Sequence, residues 1–556
     1  MIGVVAHPEE TELVQEFFEL FKTPWEFYST TGSYEVLLYA REDVAVADKP
    51  APLVIIYGGG QTIFDKANSF QVTSRQKQRT LLYKGQRLPL YCFLVTFLTR
   101  NEGILHDEES GLPAGIIENR GAYTLVRIGY DIFQEMRFLL TEGQPADNAG
   151  IPSLEVHIAI LREMMIRSGV PFLEVPPIPM GYTFMACLSH DIDHPLIRVH
   201  KWDPTMFGFL YRAMIGSILA IFRGQGNVWQ LLKNWAAVAR LPFIYLGVAR
   251  DFWYEFDRYL NIEGDSKSTF FVLPFKNQPG QNESGHAPKA RASGYAAADI
   301  AERLQQLVAA GREVGLHGID AWTDSCKGEN ERNEISRITC ATKIGVRMHW
   351  LFFDKDTPAT LEKAGFSYDS TFGYNETIGY RGGTLQAFKW LRTTSLLELP
   401  LHIMDTALFY PAYLYLTPKK AESRISNIIA DALRYGGVIT INWHDRSLMP
   451  ERLWGDVYIR LIHELKGKGC WCASGEHVVS WFQARRSVVF QKSDHCIGVR
   501  LQNQDAHLDE QIPALRVRTY NVNGVTGYSS QADTDILLTG NTNLRFHLEV
   551  SVTPSP

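Results

Sequence analysis

Four apolar stretches of the chain each run into a cluster of polar side chains, and this arrangement limits the fold more than any other feature. The clusters lie at residues 189–194, 317–318, 347–350 and 443–445. Helical patterns separate the apolar stretches, and such alternation is typical of a parallel sheet or an α/β barrel. Because these folds place catalysis at the carboxyl ends of their strands, we expect the four clusters to meet in one site.

The chain is too long for one compact domain, since it has 556 residues. We predict an N-terminal α/β domain of unknown role at residues 1–178, the domain that carries the chemistry at 179–486, and a small β-rich module at 487–556. The prolines of VPFLEVPPIPMG, which follow a helical pattern at 154–168, indicate the first junction. Within the first part, hydrophobic spacing predicts helices at 9–21 and 130–140 and strands at 35–39, 53–57 and 91–96.

Charge and cysteine usage narrow the class of protein. With 61 acidic and 55 basic residues the net charge is -6, so no global positive field favours nucleic acid as a partner. The seven cysteines include no CxxC pair, which argues against a zinc ribbon or a disulfide framework. The first fifteen residues lack the basic and apolar segments of a secretory signal, so a cytoplasmic protein is expected.

A segment at about 195–250 combines positive charge with apolar residues. It contains seven basic residues against the single acid Asp203, together with the run MFGFLYRAMIGSILAIF. A transmembrane helix needs about 20 apolar residues, and Arg212 interrupts this shorter run. Two interpretations stay open: a helical insertion that touches the inner membrane face, or a buried cap over the barrel.

The cluster at 189–194 carries two carboxylates, Asp191 and Asp193, directly after an apolar strand. Carboxylate and imidazole groups bind divalent cations, and a bound cation lowers the pKa of water so that hydroxide exists near neutral pH. The second carboxylate can then accept the proton. The same Asp-x-Asp pattern also occurs as two solvated acids or as the metal site of a glycosyltransferase that uses a nucleotide sugar.

The other three clusters supply complementary groups. His317 precedes a glycine, whose missing side chain lets a ligand approach closely, and is a candidate metal ligand. Arg347 can hold a carboxylate through two hydrogen bonds and so could fix Asp191. His444 is a candidate general acid. Each histidine taken alone is also compatible with a structural hydrogen-bonding role.

The order of these motifs resembles the metal-dependent polysaccharide deacetylases, the NodB-homology or carbohydrate esterase family four superfamily, and within it the branch whose first motif is Asp-x-Asp. The resemblance covers about residues 181–485. STFFVLPF resembles the second barrel strand of the family, EVGLHG its metal-binding histidine motif, GVRMHW its R-x-P-Y/W motif, and AGFSYDSTFGYNETIGYRGGT, with Asp369 and Arg381, its G-F-x-Y-D-S-S segment.

The resemblance implies a deformed (β/α) barrel and a metal-dependent hydrolase. It would remove acetyl groups from a sugar polymer or glycolipid, at C–N or ester bonds, in surface or exopolysaccharide metabolism. The implied catalytic residues are the base Asp191, Arg347 that orients it, the acid His444 and its acidic partner Asp405. The implied cofactor is a divalent metal, with zinc as first candidate, held by Asp193, His317 and a third ligand. Sugar-binding side chains would be Arg381, Trp322, Trp350 and Trp443.

One departure from the family pattern leaves the third ligand open. The metal motif of the family is H-x-x-x-H, but Ala321 stands four residues after His317. Catalytic zinc sites usually have three protein ligands, so we consider His349, where the family has proline, and then His194 and Asp320. The alternatives are a metal-free carbohydrate-binding or assembly subunit, a metal-dependent glycosyltransferase, and a hydrolase of small amides.

Overall fold

The computed structural model describes residues 1–47, 50–99, 103–224, 226–282, 284–493, 496–502, 512–521, 535–538 and 544–547. These residues form helices and both parallel and antiparallel strands, so the predicted mixed α/β class is confirmed. The cysteines among them form no disulfide.

A nine-stranded sheet lies in the amino-terminal part of the chain. Its strands are β1 Ile2–Val5, β2 Trp25–Phe27, β3 Val36–Tyr39, β4 Leu53–Tyr57, β5 Arg79–Tyr83, β6 Gln86–Leu90, β7 Gly103–Asp107, β8 Pro113–Asn119 and β9 Thr124–Ile128. The accompanying helices are α1 Thr11–Phe21, α2 Ile63–Ala67, α3 Ile132–Thr141 and α4 Ser153–Arg167. The strand order is β2-β1-β3-β4-β9-β8-β7-β5-β6, parallel from β2 to β9 and antiparallel beyond.

Helices α1 and α3 and strands β3 and β4 agree with the hydrophobic spacing, but the strand predicted at 91–96 is wrong. The amides of Tyr91 and Cys92 donate to the buried carboxylate of Glu135, both at 2.9 Å, instead of joining a strand ladder. A buried carboxylate needs such donors, and this requirement overrides the local strand propensity.

A second, mainly parallel sheet carries the predicted polar clusters. After the short strand β10 Phe172–Glu174, its strands are β11 Met185–Ile192, β12 Thr269–Val272, β13 Glu313–Gly318, β14 Gly345–Met348, β15 Tyr368–Asp369, β16 Phe388–Lys389, β17 Leu397–Glu398, β18 Ile403–Met404, β19 Val438–Asn442 and β20 Trp471–Ala473. The order is β16-β17-β15-β14-β13-β12-β11-β19-β18, and β20 also pairs with β11. Within the described residues the edge strands β16 and β18 do not pair with each other, so the strand pairing describes an open sheet.

The burial of β11 agrees with its interior position in this sheet. All eight of its residues are buried, as expected for a parallel strand that is covered on both faces. The neighbouring strand β19 is also fully buried. Both strands end at the same edge, where Ser189 pairs with Asn442. The residues that follow β11 and β19 are therefore brought side by side.

Helices connect the strands of this sheet, and a helical insertion lies in the chain between β11 and β12. They are α5 Pro204–Tyr211, α6 Ser217–Phe222, α7 Val228–Tyr245, α8 Phe256–Glu263, α9 Ala301–Ala309, α10 Ser325–Thr339, α11 Thr357–Ala364, α12 Asp405–Phe409, α13 Pro418–Tyr435, α14 Gly455–Gly467 and α15 Gly475–Arg486. A π-helical turn, Arg212–Gly216, joins α5 to α6 into one continuous helix. Helix α7 packs on it, and the buried Asn234 amide donates to the Ser217 hydroxyl at 2.7 Å.

The insertion, formed by α5, α6 and α7, is not the buried cap that was one of the two interpretations. Its buried apolar side chains Phe209, Ala213, Leu241 and Ile244 form one small cluster with Ile197, Trp253 and Met449. Within the described residues, one helical segment, Pro204–Phe222, is long and apolar enough to cross a membrane: it has 19 residues, a mean hydropathy of 1.6 and 28% of its residues buried. Arg212 therefore does not shorten the helix as the sequence suggested.

The carboxyl-terminal strands are β21 Val488–Ser493, β22 Cys496–Leu501, β23 Leu515–Tyr520, β24 Asp535–Leu538 and β25 Leu544–His547. Strands β21, β22 and β25 form one antiparallel sheet, while β23 pairs with both β24 and β10. The predicted β-rich character holds for these strands, and much of 487–556 lies outside the described residues. The pairing of β10 with β23 joins the end of the amino-terminal part to the carboxyl-terminal segment.

Candidate metal and catalytic centre

Asp191, on β11, is held by side chains from two other strands, β14 and β19. Its buried carboxylate accepts from Arg347 Nη1 at 3.0 Å and from Asn442 Nδ2 at 2.7 Å, and its backbone amide donates to Asn442 Oδ1. Burial favours the neutral acid, but His317 and Arg347 together lower the pKa of Asp191 below its ordinary value. The structure therefore presents an ionised carboxylate in a fixed orientation, suited to accept a proton.

Arg347 connects this carboxylate to the segment after β15. Its guanidinium donates to the Ser189 hydroxyl at 2.8 Å and to the Ser370 hydroxyl and carbonyl at 2.9 and 3.0 Å. Such planar, multiple bonding fixes the arginine as well as its partner. Asp369, from the same segment, is buried, and its carboxylate accepts from the amide and hydroxyl of Thr371.

Three side chains converge next to Asp191. Asp193 Oδ1 lies 3.4 Å from His317 Nε2 and 3.4 Å from His349 Nδ1, and these two nitrogens are 2.9 Å apart. His317 lies near the carboxyl end of β13, and His349 comes directly after β14. The neighbouring strands β13 and β14 thus deliver one imidazole each to the same point.

In each of these two imidazole rings, the outer nitrogen is the one that points away from Asp193, and it has a backbone partner. His317 Nδ1 contacts the Arg347 carbonyl at 3.0 Å, and His349 Nε2 contacts the Arg291 carbonyl at 3.0 Å. A carbonyl only accepts, so each of these outer nitrogens carries a proton. His317 Nε2 and His349 Nδ1 are the nitrogens that face the site, 2.9 Å from each other. Burial lowers the pKa of His349 to about 3, which keeps its ring neutral.

This donor set fits a divalent cation. Asp193 Oδ1 is buried and has no hydrogen-bond partner. A buried carboxylate oxygen without a partner is unfavourable unless a positive charge lies beside it. Two imidazole nitrogens and a carboxylate oxygen are the ligands of many catalytic zinc sites.

The turn that carries His349 is strained and held in place. Trp350 and Leu351 have φ values of 62° and 53°, in the left-handed region that large residues rarely adopt. The buried Arg291 guanidinium donates to the carbonyls of His349 and Ile319 at 2.9 and 3.0 Å. Arg291 therefore fixes the backbone on both sides of the ligand pair.

The other two candidates for the third ligand have different partners. His194 Nδ1 contacts His200 Nε2 at 3.1 Å, and the Asp320 carboxylate accepts from Lys327 Nζ at 3.0 Å and from the Gln281 amide. Ala321, at the position where the family has histidine, is fully buried. Of the three candidates, His349 is the one that the structure places with Asp193 and His317.

His444 faces the ligand group from the other side. Its Nδ1 donates to Asp405 Oδ1 at 2.6 Å, its backbone amide donates to Asp405 Oδ2 at 2.8 Å, and its Nε2 lies 3.8 Å from Asp193 Oδ2. Burial alone would lower the pKa of His444, but Asp405 outweighs it and raises that pKa to about 10. The ring is therefore a cation at neutral pH, with a proton on the nitrogen that points at the site.

The predicted sugar-binding tryptophans have different environments. Trp350 is 41% exposed and lies beside His349. Trp322 packs against Phe352 and is buried, and Trp443 is fully buried against Tyr458. The roles expected for Trp322 and Trp443 are therefore corrected, because a sugar cannot stack on rings whose faces are covered by the core.

Arg381 lies away from the metal ligands. Its guanidinium donates to the Gly373 carbonyl at 3.0 Å and stacks over Phe372. It lines a separate cavity of about 650 Å³ with residues of the amino-terminal part, including Arg79 and Glu142. The metal ligands do not line this cavity, so the predicted role of Arg381 at the catalytic centre is not supported by its position.

Two residues of the centre, Asn442 and Arg291, had no role in the sequence predictions. Asn442 precedes the Trp-His-Asp cluster and could have been found as a polar residue at the end of an apolar strand. Arg291 lies in a short 3-10 turn, Lys289–Arg291, and no pattern around it indicates a function.

No protein-family model and no curated protein sequence matches the chain. Among solved structures, it is similar to a polysaccharide deacetylase from Mycobacterium smegmatis, with 18% identity, a TM-score of 0.35 and coverage of 56% of this chain and 95% of that one. A polysaccharide deacetylase from Pseudomonas aeruginosa PAO1 shows 16% identity, a TM-score of 0.30 and coverage of 41% and 71%. Puue allantoinase shows 14% identity, a TM-score of 0.32 and coverage of 55% and 92%.

Proposed function

We propose that this protein is a divalent-metal hydrolase that removes acetyl groups from a glycan or glycolipid. The observation that carries the proposal is the convergence of Asp193 Oδ1, His317 Nε2 and His349 Nδ1 beside a fixed carboxylate and a protonated histidine. The glycan substrate is inferred from the order of motifs along residues 181–485, which resembles the polysaccharide deacetylases. We interpret the open sheet around the centre as the deformed barrel of that family.

Asp193, His317 and His349 would hold the metal. When bound, the cation would polarise the acyl carbonyl and lower the pKa of a water molecule, which is the chemistry of catalytic zinc. Zinc is the first candidate because the donors are two nitrogens and one carboxylate oxygen.

Asp191 and His444 would move the protons. Asp191, ionised and fixed by Arg347 and Asn442, accepts a proton from the attacking water. His444, charged because of Asp405, donates its Nε2 proton to the departing amine or alcohol. Base and acid therefore begin the reaction in the protonation states that hydrolysis needs, and acetate leaves as the second product.

The proposal is tested by metal analysis and acetate release on the full chain. We expect about one zinc ion per chain after reconstitution, and acetate release from partly acetylated chitosan or an O-acetylated glycan. His349→Ala should weaken zinc binding by about 100-fold or more and abolish acetate release, because it removes one of the three ligands. His402→Gln is the matched control, since His402 is also almost fully buried but its two ring nitrogens bind only backbone groups.

Each contrary result has a definite meaning. If His349→Ala keeps both metal and activity, His349 is not a ligand. If the wild-type chain takes up no zinc, manganese, cobalt or nickel, the metal-dependent hydrolase is wrong, and the metal-free carbohydrate-binding interpretation replaces it.

A further inference from the structure

The exposed apolar side chains of the protein are concentrated in one short segment. Of the 28 large hydrophobic side chains that are exposed in the described residues, 16 lie between Val199 and Val248. Scattered exposed apolar residues are normal on soluble proteins, but a contiguous patch marks a contact with a membrane or a partner.

The patch forms a stripe along the helix made by α5, the π turn and α6. The exposed side chains are Phe207, Tyr211, Met214, Ile215, Ile218, Leu219 and Phe222. Residues three, four and seven positions apart share one side of a helix, so these side chains lie on one broad face. The opposite face carries Met206, Phe209, Ala213 and Ala220, which are buried.

Helix α7 continues the patch. Its exposed side chains are Val228, Trp229, Leu232, Trp235 and Phe243, again at helical spacing, and Leu241 and Ile244 form its buried face. The two adjacent helices, whose buried residues Asn234 and Ser217 contact each other, therefore each present an apolar outer face.

Positive charge accompanies this surface. Between residues 195 and 250 the exposed basic side chains are Arg198, Lys201, Arg223, Lys233, Arg240 and Arg250, and Asp203 is the one acid. The whole chain carries a net charge of -6, so this basic excess is local. Apolar and basic side chains together on a helix surface are complementary to a bilayer with anionic headgroups.

We propose that α5, α6 and α7 dock the protein onto an anionic lipid bilayer, with both helices in the plane of the interface. Crossing the bilayer would require Pro204–Phe222 to leave the body and expose the core cluster around Phe209 and Trp253. Lying in the plane buries the outer stripe and keeps that cluster intact. The exposed side chains of Trp202, Trp229 and Trp235 suit the headgroup region, where indole rings are enriched.

The docking surface is also linked to the catalytic centre. Asp203 accepts from the Met206 amide at the start of α5 and from His200 Nδ1, while His200 Nε2 contacts His194, the residue after Asp193. Tyr245, at the end of α7, donates to the His200 carbonyl at 2.7 Å. Both ends of the insertion are thus fixed beside the centre, which would hold that centre near the membrane surface.

The test is flotation of the full chain with vesicles of phosphatidylcholine, with or without roughly one third phosphatidylglycerol. We expect flotation with the anionic vesicles and much less with the neutral ones. The variant Phe222→Ser/Trp229→Ser/Leu246→Ser should bind at least about tenfold more weakly, because it removes apolar side chains that enter the interface. These side chains are 84%, 75% and 75% exposed, so their loss removes few core contacts.

Two controls separate this proposal from others. Ile63→Ser/Leu98→Ser/Leu433→Ser changes three exposed apolar residues elsewhere and should float like wild type. Asp193→Asn should also float like wild type, since docking does not depend on the proposed hydrolysis. The proposal is overturned if the wild type stays in the dense fraction, or if the Phe222 triple variant floats equally well. It is also overturned if light scattering shows that the patch joins two copies of the chain and the protein does not bind vesicles.

Discussion

The buried histidines of the second sheet fall into two groups that differ in the hydrogen-bond partners of their ring nitrogens. His190 Nδ1 and Nε2 donate to the Trp443 carbonyl and to Glu263, at 2.8 and 2.7 Å, and His402 donates to the Thr384 carbonyl and accepts from the Thr440 amide. Every nitrogen of these two rings has a complementary partner. His317 and His349 each have one such partner, and their remaining nitrogens face each other.

This difference separates structural histidines from metal ligands better than burial does, since all four rings are almost fully buried. A structural histidine satisfies both nitrogens within the protein, whereas a ligand keeps a lone pair for the metal. His190 shows how local the distinction is, because it is adjacent in sequence to Asp191 and yet points to Glu263. The predictions below test the two groups against each other.

The largest effect is expected for His317→Ala. This variant removes one of the three ligand atoms, so we expect loss of bound zinc and a fall in kcat/KM for acetate release of at least about a thousandfold. The measurement is metal analysis together with steady-state kinetics on the same preparation. A thermal unfolding midpoint measured in the presence of a chelator establishes that the variant is folded.

His402→Gln is the comparison for that experiment. It should retain zinc and activity, because neither ring nitrogen of His402 faces the centre. Equal loss of metal in the two variants would mean that hydrogen-bond partners do not distinguish ligands from structural histidines in this protein.

A smaller effect, on stability, is expected for His190→Leu. Both partners of His190 are acceptors, so His190 and Glu263 form a buried ion pair, and removing one member leaves a buried charge. The free energy of unfolding should fall by about 3–5 kcal/mol, as measured by denaturant titration. The folded fraction should keep its metal.

The double variant His190→Leu/Glu263→Leu tests the reason for that loss. Replacing both members of a buried ion pair by apolar residues is often nearly neutral, so the double variant should recover much of the stability. If it is no more stable than His190→Leu, the lost stability comes from packing around the ring and not from an unpaired charge.

Much of the candidate centre could be predicted from the sequence because its members follow strands. Asp191, His317, Arg347 and His444 lie at or just beyond the carboxyl ends of β11, β13, β14 and β19, and parallel strand ends share one edge. Apolar runs that end in polar residues can be recognised from the sequence alone. His349 is the first third-ligand candidate because it lies in GVRMHW, the motif that also supplies Arg347 to the site.

What the sequence did not indicate depends on register and on packing from distant segments. Asn442 reaches Asp191 because β19 pairs with β11 in one particular register, which no local pattern records. Trp443 is covered by α14 and α12 through Tyr458 and Phe409, so its burial could not be seen from the strand alone. The failed strand at 91–96 has the same origin, since Glu135 lies more than forty residues further along the chain.

The smallest expected effect is a pH dependence of the free energy of unfolding that comes from His402. Burial lowers the pKa of His402 to about 4, whereas a histidine in the unfolded chain titrates at about 6.5. Between these values the unfolded chain binds a proton that the folded chain does not, so His402 stabilises the folded state fully above about pH 6.5 and loses this contribution as the pH falls toward 4. From pH 7 to about 4.5 the loss should reach about 2 to 3 kcal/mol.

Denaturant titrations of wild type and His402→Gln at both pH values measure this loss, because glutamine can reproduce the two backbone hydrogen bonds without titrating. The stability gap between the two proteins should therefore shift in favour of the variant at low pH. If that gap is the same at both pH values, the ring already carries its proton in the folded state, and His402 does not belong with the neutral, fully partnered histidines.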